Sequence, residues 1–303
     1  MTRFPSFSGT KGSGIISAGF VACACLASLG AVAHASTSVL VNDQFSGSAG
    51  TYLSGRTPDT ADLSGATWVQ YGTTSNNGGS VITPNTLNAI SLTGSGSAAF
   101  PTYSGSGSYA DMGAAINFNA DTSATAGDLS LQATINAADN GAEWLAVGFG
   151  PSNPTNNYGP WAGGPWVLVK HTGEVQFFAT GGTSAEVIDD TAAENTTGSH
   201  TIQLTYDPAT TTVTLSVDGS AVTGGSYTYG GTNAAVPASF GSVFVDDRYK
   251  FSYSLPANAT DYGTFSNLMV TGTPAATPEP AAAGVLCAGL IGGLLALRRR
   301  RAN

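Results

Sequence analysis

The sequence predicts an all-β protein folded as a two-sheet antiparallel sandwich, flanked by an N-terminal signal peptide and a C-terminal transmembrane sorting helix. Three observations predict this class. Short runs rich in β-branched and aromatic residues are separated by turn residues, and the chain contains 40 glycines. Before the tail, no segment has the period and length of an amphipathic helix. The stretch between the two ends, residues 36–280, is long enough to bury a substantial core as one domain.

Twelve short segments are the candidate strands, and their close spacing is typical of a sandwich. They comprise residues 39–41, 67–71, 87–92, 112–118, 129–135, 144–149, 166–171, 174–179, 200–206, 212–217, 242–245 and 263–271. In the pair 200–206 and 212–217, apolar and polar residues alternate and Asp207-Pro208 begins the turn. Residues 76–79 and 95–107 are rich in Gly, Ser and Asn and are predicted to be loops.

The C-terminal tail has three parts in a fixed order. Pro278-Glu279-Pro280 is followed by the uncharged apolar segment 281–297 and then by Arg298-Arg299-Arg300-Arg301. As a helix, the apolar segment would be about 25 Å long, slightly short of a hydrocarbon core of about 30 Å, but arginine stems can extend to the interface. The arginines favour the cytoplasmic side for that end. Residues 273–277 are predicted to be a linker.

This order of motif, apolar helix and arginine cluster resembles the PEP-CTERM sorting signal, which in that family is cleaved by a membrane-embedded transpeptidase called an exosortase. The resemblance covers residues 278–301. It implies an exported protein of a Gram-negative bacterium, anchored transiently in the inner membrane and then attached at the cell surface or released, often beside exopolysaccharide. An ordinary C-terminal anchor is the alternative.

The N-terminus has the features of a signal peptide spanning residues 1–35. Arg3 and Lys11 precede an apolar stretch, and Ala33-His34-Ala35 has the small-x-small pattern of a signal peptidase site. Cleavage is expected after Ala35, so signal peptidase is an expected partner. An uncleaved N-terminal anchor is the alternative.

Removing both ends changes the cysteine content and the charge of the protein. Cys23, Cys25 and Cys287 lie in the removed segments, so no disulfide is expected and core burial must hold the domain together. All nineteen acidic residues remain, against only four basic ones: Arg56, Lys170, Arg248 and Lys250. Because an acidic surface repels phosphate backbones, a nucleic-acid partner is not expected. Anionic polysaccharide would need a bridging divalent cation.

Several segments resemble the concanavalin A-like lectin and glucanase jelly roll, a LamG-like sandwich. They are the opening Asp43-Gln44-Phe45, the strand 144–150, the hairpins 167–178 and 200–219, and the closing Phe265-Ser266-Asn267-Leu268. The resemblance implies one such domain over residues 36–272 and a role in carbohydrate binding. An immunoglobulin-type sandwich is the alternative, although those domains have about 100 residues.

A glycoside hydrolase on this fold needs two carboxyl groups that face each other across a sugar. Laminarinase-type members of the resembled family carry Glu-x-Asp-x-x-Glu on one strand, and this sequence lacks that motif. Glu143 and Glu174 have no second carboxylate two residues away, and Glu174 is predicted to be a solvated turn residue. His171 and His200 are predicted to be surface residues outside any catalytic or zinc cluster. No catalytic residue is assigned, and enzymatic activity is not expected.

Calcium is the one cofactor that the sequence leaves open, because its oxygen ligands come from Asp, Asn and carbonyl groups in loops. Asp43 opens the domain, and Asp246-Asp247 are predicted to follow an apolar strand. These three carboxylates are the metal candidates. Arg248 and Lys250 offer Asp246 and Asp247 a simpler partner.

The segment 151–166 concentrates Asn, Tyr and Trp between two predicted strands. Aromatic rings in an exposed loop can stack on sugar rings, so Tyr158, Trp161 and Trp166 are the candidate ligand-binding residues. Trp161 could instead cap the core, and Trp166 could simply begin a strand. Trp68 and Trp144 are predicted to lie in the core.

The predicted function is non-catalytic binding or structuring of extracellular polysaccharide by an exported cell-surface or matrix protein. Two alternatives stay open: a glycoside hydrolase or lyase on the same fold, and a structural or adhesive surface protein without a sugar site.

Overall fold

The computed structural model describes residues 36–75, 90–101, 109–137, 142–152, 160, 163–181, 186–188, 198–237, 240–250 and 261–275. The chain divides into two compact units, Met1–His34 and Ala35–Asn303, and every described residue belongs to the second. The signal peptide and the sorting signal 278–301 lie outside the described residues and stay predictions. Within the described ranges, no helix has the length and apolar character needed to cross a membrane.

Sixteen β-strands make up the regular structure of the described residues. They are β1 (Ser38–Asp43), β2 (Thr60–Ala61), β3 (Val69–Ser75), β4 (Ser91–Leu92), β5 (Ser97–Pro101), β6 (Tyr109–Asn117), β7 (Leu129–Ala137), β8 (Ala142–Gly150), β9 (Trp166–Val169), β10 (Val175–Phe178), β11 (Glu186–Ile188), β12 (Ser199–Asp207), β13 (Thr212–Val217), β14 (Ser220–Thr228), β15 (Ser242–Lys250) and β16 (Asp261–Gly272).

The strands form two antiparallel sheets. The nine-stranded sheet has the order β14-β13-β12-β7-β16-β1-β2, and β5 pairs with β16 and with β4. The seven-stranded sheet has the order β11-β10-β9-β8-β15-β6-β3. Neighbours such as β7 and β16 are far apart in sequence, so most pairings close long loops. The predicted two-sheet sandwich is confirmed.

All twelve predicted segments contain or overlap a strand, and four strands escaped prediction: β2, β5, β11 and β14. The most instructive is β5, which lies inside the segment 95–107 predicted to be a loop. Its residues Ser97, Ala98 and Ala99 have little β preference, and the strand exists because β16 and β4 pair with it on its two sides. Tertiary pairing overrides local preference at this position.

The main core lies between the sheets and includes residues from both. Aromatic rings fill it in edge-to-face pairs, such as Phe100 and Phe265 at 5.3 Å between centroids and Phe118 and Phe149 at 6.2 Å. Trp68 is 1 % exposed and belongs to this core, as predicted. No cysteine lies among the described residues, so this domain is stabilised by core burial and not by a disulfide.

Candidate functional site

A second apolar cluster covers the face of the seven-stranded sheet that is turned away from the main core. Side chains alternate between the two faces of a strand, so Val167 and Val169 enter the core while Trp166 and Leu168 point to the opposite side. We call this second cluster the aromatic floor. Its members are Tyr71, Ala115, Trp144, Ala146, Trp166, Leu168, Phe178 and Phe244.

Two glycines allow the large rings to lie flat on the floor. A Cβ at Gly148 would come within 2.5 Å of the Trp166 Cβ and 2.8 Å of the Phe244 ring. A Cβ at Gly113 would come within 2.4 Å of the Tyr71 ring and 2.6 Å of the Asp246 carboxylate. Real Cβ atoms do not tolerate such distances, so these positions require glycine. The absence of a Cβ at these two positions leaves room on this face for the aromatic side chains.

Trp166 is part of the floor, and the structure does not support its predicted role as an exposed ring for sugar stacking. It is 1 % exposed, and its ring stacks on Phe178 at 4.2 Å between centroids. Its indole N–H donates to the Thr180 carbonyl at 3.2 Å. Trp144, predicted to lie in the core, is 5 % exposed but belongs to the floor. Both residues are buried because β8 and β9 are covered on both faces.

Asp246 and Asp247 lie inside strand β15, which corrects the prediction that they follow it. Both are 2 % exposed. Successive residues of a strand point to opposite faces, so Asp246 lies on the floor beside Tyr71, whereas Asp247 faces the other way. The two carboxylates therefore cannot bind one calcium ion together. Arg248 lies on the floor side and is half-buried.

A second carboxylate on the floor side belongs to Glu174, which is not simply solvated as predicted. It forms an ion pair with Lys170 and accepts a hydrogen bond from Gln176 at 2.9 Å. Strands β15 and β10 are three positions apart, about 14 Å at the usual strand spacing. The two strand axes are therefore farther apart than the roughly 5–9.5 Å that separates the catalytic carboxyl groups of glycosidases.

The segment between β8 and β9 carries Tyr158 and Trp161, and both of its ends are held by close backbone contacts. At the start, Ser152 sits against Gly241, where a Cβ would be 1.9 Å from the serine Oγ. At the end, Gly164 sits against strand β8, where a Cβ would be 2.0 Å from the Phe149 carbonyl oxygen. Tyr158 and Trp161 lie outside the described residues, so their predicted sugar contacts remain untested.

Asp43 is the centre of a buried hydrogen-bond network. The carboxylate is fully buried, forms an ion pair with Arg56, and accepts hydrogen bonds from the Trp68 indole at 2.7 Å and the Phe45 backbone N–H at 2.7 Å. These donors occupy both carboxylate oxygens. The network joins the end of β1 to the strand that follows Trp68 and gives Asp43 a structural role. Its role as a calcium ligand stays a prediction.

The prediction that His200 is a surface residue is wrong. It is 3 % exposed because it occupies a core-facing position of β12, two residues before the buried Ile202. Its Nδ1 lies 2.9 Å from the Asp218 carboxylate. Burial raises the pKa of Asp218, but the hydrogen bonds from the Thr201 N–H and from His200 outweigh burial, and the pKa lies below its ordinary value. Across the described residues, no three His, Cys, Asp or Glu side chains gather into a metal-binding group.

Alternation of apolar and polar residues does not reveal the aromatic floor. Strands β8 and β9 contain continuous apolar runs, and all four residues of Trp166–Val169 are buried. Continuous apolar runs are typical of strands covered on both faces. That signal was present in the sequence and could have identified Trp144, Trp166 and Leu168 as residues of a second cluster.

Comparison with known structures establishes the fold. The chain is similar to an endo-1,3-beta-glucanase from Streptomyces sioyaensis, with a TM-score of 0.52, 20 % identity and coverage of 78 % of this chain and 97 % of that chain. The fold is the concanavalin A-like jelly roll. The same comparison finds the Bacillus licheniformis beta-glucanase, with a TM-score of 0.39, 14 % identity and coverage of 75 % of this chain and 98 % of that one.

It also finds the potassium-bound carbohydrate recognition domain of Emp46p, with a TM-score of 0.41, 10 % identity and coverage of 76 % of this chain and 97 % of that chain. No protein-family model matches the sequence. No curated protein matches it either.

Proposed function

We propose that this protein is an exported, non-catalytic carbohydrate-binding protein of the cell surface or extracellular matrix. The sugar would bind to the loop between β8 and β9, through Tyr158 and Trp161, at the margin of the aromatic floor. The observation that carries this proposal is the close backbone contact at both ends of that loop, at Ser152 and at Gly164. Binding residues commonly lie on loops that a rigid scaffold positions.

The floor supports the proposal as a scaffold. Its rings are almost fully buried, so they would stiffen β8 and β9, the strands that flank the loop, and would not touch the ligand directly. The jelly-roll fold is shared with a protein described as an endo-1,3-beta-glucanase, so a glucan is the first ligand class to test. Hydrolysis is not proposed, because the sequence lacks the Glu-x-Asp-x-x-Glu motif of laminarinase-type enzymes.

Export belongs to the same proposal. The predicted signal peptide 1–35 would direct the chain through the inner membrane, and the predicted sorting signal 278–301 would anchor it until exosortase acts. Calcium would enter only as a bridge between the acidic protein and an anionic polysaccharide. Both the metal bridge and the two processing enzymes are proposals drawn from the sequence.

The first experiment measures binding of the full chain, purified in a mild detergent, to laminarin and to alginate with and without calcium. Trp161→Ala is expected to raise the Kd for the bound polysaccharide about tenfold, equivalent to roughly 1.4 kcal/mol of lost ring contact. The control is Val236→Ala, which removes an exposed apolar side chain from the segment after β14. If Trp161→Ala and Tyr158→Ala both leave the Kd unchanged, the loop is not the sugar site.

An assay of reducing ends released from laminarin tests the non-catalytic part of the proposal. No turnover is expected. Sustained release by the full chain, abolished in Asp246→Asn, would replace the binding proposal with a hydrolase.

A further inference from the structure

The outer face of the nine-stranded sheet carries a continuous set of neutral hydrogen-bonding side chains. We call it the hydroxyl face and define it by the outward positions of β13, β12, β7 and β16, all of them partly or fully exposed. Its neutral hydrogen-bonding members are Thr212, Thr214, Ser216, Ser199, Thr201, Gln203, Thr205, Ser130, Gln132, Thr134, Asn136, Thr264, Ser266, Asn267 and Thr271. Among the outward side chains that the structure describes on these strands, Met269 is the apolar one.

Hydrogen bonds between strands hold these side chains in a fixed arrangement. The Ser130 hydroxyl lies 3.3 Å from that of Thr205, and the amide of Gln203 donates to Ser130 at 3.0 Å. Thr134 and Thr201 make a similar pair at 3.4 Å. Threonine side chains are also stiff at χ1. A ligand on this face would therefore meet pre-ordered donors and acceptors and would cost little side-chain entropy.

The face lacks the acidic character of the chain. The sequence has 19 acidic residues against 10 basic ones, yet among the described outward positions of these four strands the only charged side chain is Asp207, at the end of β12. Hydrogen bonds from the Thr210 hydroxyl and from backbone N–H groups lower the pKa of Asp207 and keep it within its own turn. A neutral ligand therefore meets no desolvated charge here.

An exposed aromatic ring lies at one margin of the same face. Tyr52 is 63 % exposed and bridges Ser91, which pairs with Ala99. Ala99 pairs with Thr264, and Thr264 with Asn136. Residues paired across neighbouring strands point to the same face of the sheet. The five side chains therefore form one row in the order Tyr52, Ser91, Ala99, Thr264 and Asn136. The row is about 19 Å long at the usual strand spacing.

This row combines the three groups that sugar recognition uses: an aromatic face, hydroxyls and an amide. We propose that the hydroxyl face with Tyr52 is a second polysaccharide-binding surface, specific for a neutral polysaccharide. It is independent of the loop between β8 and β9, because it lies on the other sheet. Absence of charge favours a neutral glycan over an anionic one, which would gain no cationic partner here.

A second copy of this chain is a less suitable occupant. The four central strands span about 19 Å, and seven residues along them span about 24 Å, so the flat area is about 450 Å². Stable protein interfaces bury about 800 Å² on each partner. The four strands of the hydroxyl face are therefore large enough for several sugar rings, and by themselves they are smaller than the area that a stable dimer buries on each partner.

The test measures binding of the full chain in detergent to neutral laminarin and to anionic alginate. Tyr52→Ala and Thr134→Asp are each expected to raise the Kd for laminarin about tenfold, the first by removing the ring and the second by placing a charge on the face. Val236→Ala is the matched control for loss of an exposed apolar side chain. Thermal unfolding of each variant verifies that the sandwich is intact.

Trp161→Ala in the same series separates this surface from the loop. Weaker laminarin binding in Tyr52→Ala and Thr134→Asp supports the second surface, whatever Trp161→Ala does. Unchanged laminarin binding in both face variants overturns it, even if Trp161→Ala loses affinity. Preference of the wild-type chain for alginate, or no polysaccharide binding at all, also overturns it. Concentration-dependent dimers that Thr134→Asp disrupts would assign the face to a second copy instead.

Discussion

At the scale of single residues, the buried carboxylate of Asp43 shows how an acidic residue becomes structural. It is fully buried and takes hydrogen bonds from Arg56, Trp68 and the Phe45 backbone. A buried carboxylate is tolerated only when charge and hydrogen-bond donors compensate its lost hydration. The same carboxylate, in sequence alone, is indistinguishable from a metal ligand.

Replacing Asp43 by Ala is expected to destabilise the protein by about 3–5 kcal/mol, because the Arg56 charge and the Trp68 N–H lose a buried partner. The free energy of unfolding in urea, without and with added calcium, measures the effect. Asp59→Ala is the control: Asp59 also pairs with Arg56, at 3.3 Å, but is one-third exposed. Its loss is expected to cost at most about 1 kcal/mol. The structural role of Asp43 would be contradicted if both variants lost the same free energy of unfolding. It would also be contradicted if calcium stabilised the wild-type protein but not Asp43→Ala.

At the scale of elements, glycine contacts decide where strands and loops can approach each other. Gly164 and Gly241 allow two backbone segments to touch on either side of the loop between β8 and β9. Neither contact has a sequence signature beyond the glycine itself. The tertiary structure therefore assigns these glycines a role that their positions in a Gly-rich chain do not reveal.

Gly164→Ala is expected to destabilise the protein by about 1–3 kcal/mol and to weaken polysaccharide binding by the adjoining loop, because a Cβ would strike the Phe149 carbonyl. Thermal unfolding and the laminarin Kd measure the two effects. In the control, Gly127→Ala, the nearest atom is the hydroxyl tip of Thr37 at 3.1 Å, which can move. If Gly164→Ala changes the unfolding temperature and the laminarin Kd less than Gly127→Ala does, the close contact at Gly164 does not constrain the loop.

At the scale of the whole molecule, the described domain and the predicted sorting signal occupy separate parts of the chain. The main core of the domain consists of residues between Leu40 and Val270, and none of these belongs to the segment 278–301. Loss of the sorting signal should therefore change delivery and leave the fold intact.

Replacing Arg298–Arg301 by alanine, or Pro278–Pro280 by alanine, is expected to abolish delivery to the cell surface while leaving the unfolding temperature of the domain unchanged. Fractionation of the envelope and growth medium measures delivery. Mass spectrometry of the mature protein should find no peptide beyond the Pro-Glu-Pro motif. Unchanged delivery of both variants, or intact peptides from the tail in surface material, would refute the sorting role.

The strands were predictable where local pattern and tertiary environment agree. In β12 and β13 one face is buried and one is exposed, and strict alternation located both strands. In β5 the residues carry no such pattern, because pairing with β16 and β4 creates the strand. For the candidate site, the roles of Tyr158 and Trp161 stay predictions. The aromatic floor was not predicted, because strands buried on both faces lose their alternation.

The sequence by itself determined the all-β class, the two-sheet sandwich and most of its strands, because side-chain periodicity follows directly from strand geometry. It also indicated Tyr158 and Trp161 as candidate binding residues and predicted a signal peptide and a sorting signal. Only the tertiary structure decided that Asp246 and Asp247 point to opposite faces, that His200 is buried, and that Tyr52 joins a neutral row on the far sheet. Those properties depend on which strands pair in the sheets. Many paired strands are far apart in the chain, so the residues around each strand do not indicate its partner.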